Sequence, residues 1–182
     1  MSESLTKNPP FNVISDVLES LRFRGTVYFR SELAAPWGLS LPASGALRFH
    51  IMFSGECFIG SDKQKSVPVN PLEIVLLPTG EPHWIANHPD TKRLPGEEAI
   101  AACELNKPHF QNGEITHKVM CGQVQYDRNL PHPLLDSLPE ILHFPCIEQN
   151  DPIWQTVQLI DRLKEASGTT QNPVIDRLSE SL

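Results

Sequence analysis

The chain has 182 residues, with 15 Lys+Arg against 22 Asp+Glu and a net charge of −7. That length holds one domain with a sizeable core rather than two full domains. Positive charge is nowhere gathered: the densest stretch, Arg22 to Arg30, holds three arginines. Since nucleic-acid affinity rests on Lys and Arg meeting phosphates, these residues by themselves are not expected to bind DNA.

A hydrophobic share of 40% suits a globular fold, and 17 prolines favour a turn-rich β protein over a helical one. The start, MSESLTKNPPFNV, is polar and lacks the apolar stretch of a secretory signal. No run approaches the roughly 18 apolar residues that span a bilayer, so no membrane partner is expected. Cys57, Cys103, Cys121 and Cys146 form no CxxC pair. Together these features predict a cytoplasmic location with reduced thiols.

Residues 1–11 read as a flexible N-terminus. A helix is expected from Asn12, its cap, through Val13, Val17, Leu18 and Leu21 to a stop at Gly25. Thr26 to Phe29 reads as a strand, and Pro36 to Pro42 as an apolar, turn-laden link. Ala46 to Ile59 gives two strands around a turn at Ser54–Gly55, followed by short strands at Lys65 to Val69 and Leu72 to Leu77. A tight turn, PTGEP, leads into a strand from His83 to Asn87. From His88 to Ile115 the period fails, which predicts a long loop with a short helix near Glu97 to Glu104. Thr116 to Tyr126 is a clear strand.

Residues 12–147 are thus expected to form one β domain, and residues 148–182 a helical tail. In the tail Asp151 caps and Pro152 takes the first helical position. Ile153, Trp154, Val157, Ile160 and Leu163 then form one face up to Gly168. Asn172–Pro173 starts a second helix with Val174, Ile175, Leu178 and Leu182 on its stripe. That stripe predicts either dimer contacts or docking onto the same domain. Because this helix has a start and no stop, the protein is expected to continue beyond Leu182.

The sharpest local pattern is Pro78-x-Gly80-x-x-His83-x-x-x-Asn87, which resembles the second motif of the cupin superfamily, with Leu72 where that motif has a glycine. The first cupin motif corresponds to His50, Met52 and Glu56, with Met52 in place of a second histidine. The resemblance implies a mainly β fold, a double-stranded β-helix (jelly-roll) barrel with an N-terminal helix and a C-terminal helical tail. In such a barrel, residues two apart on a strand share a face, so His50 and His83 are expected to converge. Two readings follow. His50, His83 and Glu56 hold a divalent transition metal of the zinc, nickel or iron kind, or these are interior polar groups lining a pocket without an ion.

Cys121, on one face with Val119, Gln123 and Gln125, is either a soft ligand beside the histidines or a buried packing residue. Arg48 shares a face with His50: inside the barrel it would clamp a ligand carboxylate, and outside it is a solvated charge. Trp37 and Trp84 are read as core or pocket aromatics, core being the reading preferred for each. His50, Met52, Arg48, His83, Trp84 and Cys121 together make the candidate ligand pocket, with no catalytic residue among them. No nucleophile elbow, phosphate-binding glycine loop or HExxH is present.

Five ordered pieces resemble the cupin-like N-terminal domain of AraC-type transcriptional regulators. They are Ser15 to Leu39, Phe49 to Ile59, Val75 to Ala86, Cys121 to His143 and the two capped helices of the tail. The resemblance implies a non-enzymatic sensor that binds a small-molecule effector and forms a homodimer. DNA would be reached only through a C-terminal pair of helix-turn-helix units that these 182 residues do not contain. The alternative is a small metal-dependent cupin enzyme of the dioxygenase or isomerase type, against which Met52 and the lack of an evident general base both count. A pure assembly module with a vestigial pocket is the third reading.

Overall fold

The structure is a computed structural model and describes residues 24–105, 107–126, 137–145, 148–167 and 173–180. The expected flexible start and all of the first helix up to residue 23 lie outside the described residues, as does Cys146. Gly25, read as the stop of that helix, instead sits inside the first strand, β1 (Arg24–Ala34). Rich in Val, Tyr, Phe and Thr, this segment extends well beyond the four residues that composition alone marked.

The remaining strands are β2 (Gly38–Leu41), β3 (Leu47–Ser54), β4 (Cys57–Gly60), β5 (Val67–Val69), β6 (Glu73–Leu77), β7 (His83–Ala86), β8 (Leu94–Pro95), β9 (Ile115–Gln125) and β10 (Leu142–Phe144). They form two five-stranded sheets, ordered β1-β9-β3-β6-β10 and β5-β4-β7-β2-β8. Every pairing is antiparallel except β2 with β8. The mainly β, jelly-roll reading stands. Three elements differ from the sequence expectation in detail. The link at Pro36–Pro42 contains β2, the loop from His88 contains the two-residue β8, and β10 was not anticipated. Each is too short to show a period of its own and exists because a neighbouring strand offers its edge.

Two apolar clusters divide the molecule. The inner one lies between the sheets and joins Phe29, Met52, Val75 and Val119 of the first to Leu39, Cys57, Ile59 and Ile85 of the second. The outer one covers the far face of the first sheet. A register shift between Val27 and Phe29 in β1 lets both clusters draw on it: Val27 joins the outer cluster and Phe29 the inner. Without that bulge, residues two apart would share one face.

The short helix α1 (Gly96–Glu104) falls where one was expected, near Glu97 to Glu104, with Ala99 buried in the inner cluster. The tail helices are α2 (Pro152–Ser167) and α3 (Pro173–Glu180). Asp151 caps α2 by accepting the Ile153 N–H at 2.8 Å, with Pro152 at the first helical position. Trp154, Val157, Ile160 and Ile175 are buried against Ile51, Phe49 and Met120 on the outer face of the first sheet. The stripe therefore docks onto its own sheet, and Ile153 and Val174, counted on it from sequence, are instead exposed.

That docking is reinforced by charge. Asp161 of α2 accepts Arg30 Nε at 2.8 Å and Lys118 Nζ at 2.6 Å, and Lys164 Nζ donates to the Val27 carbonyl at 2.6 Å.

Candidate functional site

The site begins with register. In the first sheet His50 lies between Cys121 of β9 and Val75 of β6, and Arg48 lies between Gln123 and Leu77. Arg48, His50 and Met52 share the inner face by strand alternation. Across the interior, His83 of β7 pairs with Leu41 of β2 in the second sheet.

The turn that delivers His83 is built by the residues of the second motif. Gly80 adopts φ 62°, and a Cβ there would stand 2.1 Å from the Ala46 carbonyl oxygen. Only glycine fits that turn without moving backbone. Asn87 holds the other end of β7, its Oδ1 accepting the Trp37 N–H at 2.8 Å and the Thr91 hydroxyl at 3.2 Å. Leu72, which replaces the motif's glycine, keeps a glycine-like backbone at φ 67°. The turn geometry has outlasted the residue type that favours it.

The two histidines do meet. His50 Nε2 lies 2.8 Å from His83 Nε2, His50 Nδ1 lies 2.9 Å from Cys121 Sγ, and His83 Nδ1 lies 2.8 Å from the Glu81 carbonyl oxygen. The proton positions follow from the last contact. A carbonyl only accepts, so His83 carries its proton on Nδ1 and, when neutral, offers Nε2 as acceptor. His50 must then donate from Nε2, which leaves its Nδ1 to accept from the Cys121 thiol. The result is a directional chain, Cys121 S–H to His50, His50 N–H to His83, His83 N–H to Glu81, spanning both sheets with every polar atom satisfied.

The electrostatics favour that neutral state. Burial, the neighbouring His83 and the Arg48 charge hold His50 well below the ordinary imidazole range. Burial brings His83 down to about 4, against the raising effect of its bond to Glu81 and with a further lowering from Arg48. Burial also pushes the Cys121 thiol far up, so it is an inert proton donor rather than a thiolate.

An ion fits this arrangement poorly. Two nitrogens bound to one tetrahedral ion at zinc distances stand about 3.4 Å apart, whereas these stand at hydrogen-bond distance. Met52 is wholly buried in the apolar inner cluster. Glu56 is exposed, and what it gives the interior is its backbone carbonyl, which accepts from His117 Nε2 at 3.1 Å. Among the described residues no group of three or more His, Cys, Asp or Glu side chains is placed to hold a metal ion.

Arg48 is buried at 8% exposure, so the solvated reading is set aside. It borders a cavity of about 180 Å³ with Leu41, Pro42, Gly96, Ile100 and Gln123. His83 lines a larger cleft of about 420 Å³ together with Ser40, Asp62, Trp84 and Arg93. Leu41, Pro42, Gly96 and Glu97 border both spaces, so Arg48 and His83 reach neighbouring openings on either side of one rim. Trp37 is fully buried in the inner cluster. Trp84, for which core was the preferred reading, lies half-buried on the cleft with the Arg93 guanidinium 4.0 Å above its ring. Sequence reasoning missed the Glu81 carbonyl and Arg93, and it placed Gln123 beside Cys121 without counting it in the pocket; the start of α1 falls at the short helix expected near Glu97.

The family model described as Cupin matches residues 12–182. The chain belongs to the cupin family. Solved structures similar to this cupin include YhaK from Escherichia coli, at 11% identity and a TM-score of 0.39, covering 63% of this chain and 39% of that one. Another is an apo form of ToxT from Vibrio cholerae, at 9% identity and a TM-score of 0.45, covering 89% of this chain and 52% of that one. ToxT with an unsaturated fatty acid bound is similar at 10% identity and a TM-score of 0.39, covering 87% and 49%. This cupin spans about half the length, or less, of these structures. No curated protein matches its sequence.

Proposed function

We propose that this cupin is the sensor and dimerisation part of an AraC-type transcriptional regulator, taking a small-molecule effector in the barrel. The observation that carries the reading is the buried Arg48 guanidinium beside the neutral His50–His83 pair, at the edge of a cavity. A buried guanidinium presents a fork of donors that matches a carboxylate, so the effector is a small carboxylic acid. The order of the five pieces from Ser15 to the tail supports the regulator assignment. DNA contact belongs to a helix-turn-helix part beyond these residues, in keeping with the net charge of −7. A second copy would meet the exposed apolar residues Ile153, Leu159 and Val174 of the tail.

The enzyme alternative needs a held ion with an open position, and the described residues offer no ligand set for one. The test is thermal melting of the protein with a panel of small carboxylates, compared with Arg48→Gln. An effector present at about 100 times its Kd should stabilise the wild type by about 2.7 kcal/mol. The same acid should leave Arg48→Gln nearly unmoved. Equal stabilisation of both proteins would refute the assignment.

A further inference from the structure

A second groove shares Arg93 with the cleft. It measures about 420 Å³ and is lined by Pro36, Lys92, Arg93, Leu94, His109 and Phe110. On a chain whose net charge is −7, Lys92, Arg93 and His109 converge on one space.

The Arg93 side chain is held in place from several directions. Its guanidinium stacks over Trp84 at 4.0 Å, and Nη2 donates to the Pro89 carbonyl at 2.6 Å. Its stem is admitted by Gly38, where a Cβ would stand 3.3 Å from Arg93 Cγ and 3.0 Å from the Lys92 carbonyl oxygen. Among the described residues no carboxylate pairs with Arg93 or with Lys92. Immobilising a long cationic side chain costs rotamer entropy, and here no internal ion pair offsets it. His109 Nε2 lies 3.9 Å from Glu98 Oε1, and on the cleft Arg93 shares the lining with Asp62 and Glu97. Phe110, in the opposite wall, holds φ 61°, a backbone conformation unfavourable for an aromatic residue, and its carbonyl accepts the Ala34 N–H at 2.7 Å.

We propose that this groove binds a phosphate monoester with a compact apolar body, at a site separate from the barrel interior. The anchored Arg93 and the exposed Lys92, with the His109 imidazole beside them, suit a dianion better than a single carboxylate. Pro36, Leu94 and the Phe110 ring provide the apolar wall for the rest of the ligand.

The test is isothermal titration of the chain with phenyl phosphate, using benzoate, benzyl alcohol and inorganic phosphate as comparison probes. Phenyl phosphate should bind with one-site stoichiometry, weaken as salt rises, and bind at least tenfold more tightly than each comparison probe. Lys92→Gln and His109→Gln each change a groove side chain that packs little into the fold. Each should weaken binding severalfold at an unchanged melting temperature, while Arg48→Gln leaves it unaltered. The proposal is overturned by absence of binding at millimolar phenyl phosphate, by equal binding of benzoate or benzyl alcohol, or by insensitivity to Lys92→Gln.

Discussion

Protons, rather than an ion, join the two sheets at the scale of single residues. His50 and His83 are buried neutral, and the unfolded chain, with imidazoles near the ordinary 6.5, takes up protons first as pH falls. Their contribution to stability is therefore full above pH 6.5 and is lost as pH drops below it, for His83 over the range down to about 4. For His83 alone the loss amounts to about 3 kcal/mol. Urea titrations across that window should show the decline, and His83→Leu should flatten its slope. At the other end of the chain Cys121→Val keeps bulk but leaves His50 Nδ1 without a donor, at a cost of about 1–3 kcal/mol. Cys121→Ser retains a donor and should cost less. An equal loss in both variants, measured by urea denaturation, would mean that the thiol acts by packing alone.

Among the elements, the tail helices carry the second layer of the fold. Asp161 is their main polar anchor, bonded to Arg30 of β1 and Lys118 of β9 with little solvent around any of the three. Asp161→Ala takes the carboxylate from Lys118 and leaves Arg30 only the longer contacts to Glu32 and Glu165, and should destabilise the protein by about 1–3 kcal/mol. The change should appear in denaturation followed by Trp154 fluorescence. How far such elements can be read from sequence depends on what forms them. The β3–β4 pair, β6, β7, β9 and both tail helices carry their own periods and caps, so they stand where the residues place them. β2, β8 and β10 owe their existence to a partner strand, and no local pattern announces them. The bulge after Val27 is equally silent, because it alters which face a residue joins without altering composition.

For the molecule as a whole, one polar line beside the buried Arg48 crosses the interior between the sheets, and an apolar second face secures the helices. The meeting of His50 and His83 was legible, since motif spacing and strand alternation dictate it. The partners that decide its chemistry were not: the Glu81 carbonyl that fixes the tautomer depends on the local turn geometry, and the register that sets Cys121 opposite His50 depends on strand pairing. Glu56 illustrates the same limit, for the spacing is right while the side chain stands exposed at the turn. The ligand reading rests on this neutral chain beside Arg48, and its proton positions can be observed directly. Long-range nitrogen–proton NMR of the imidazoles at pH 7 should show His83 protonated on Nδ1 and His50 on Nε2, both still neutral at pH 5 and both unmoved by added zinc. The opposite tautomers, charging near pH 6.5, or joint shifts on adding zinc would contradict the account.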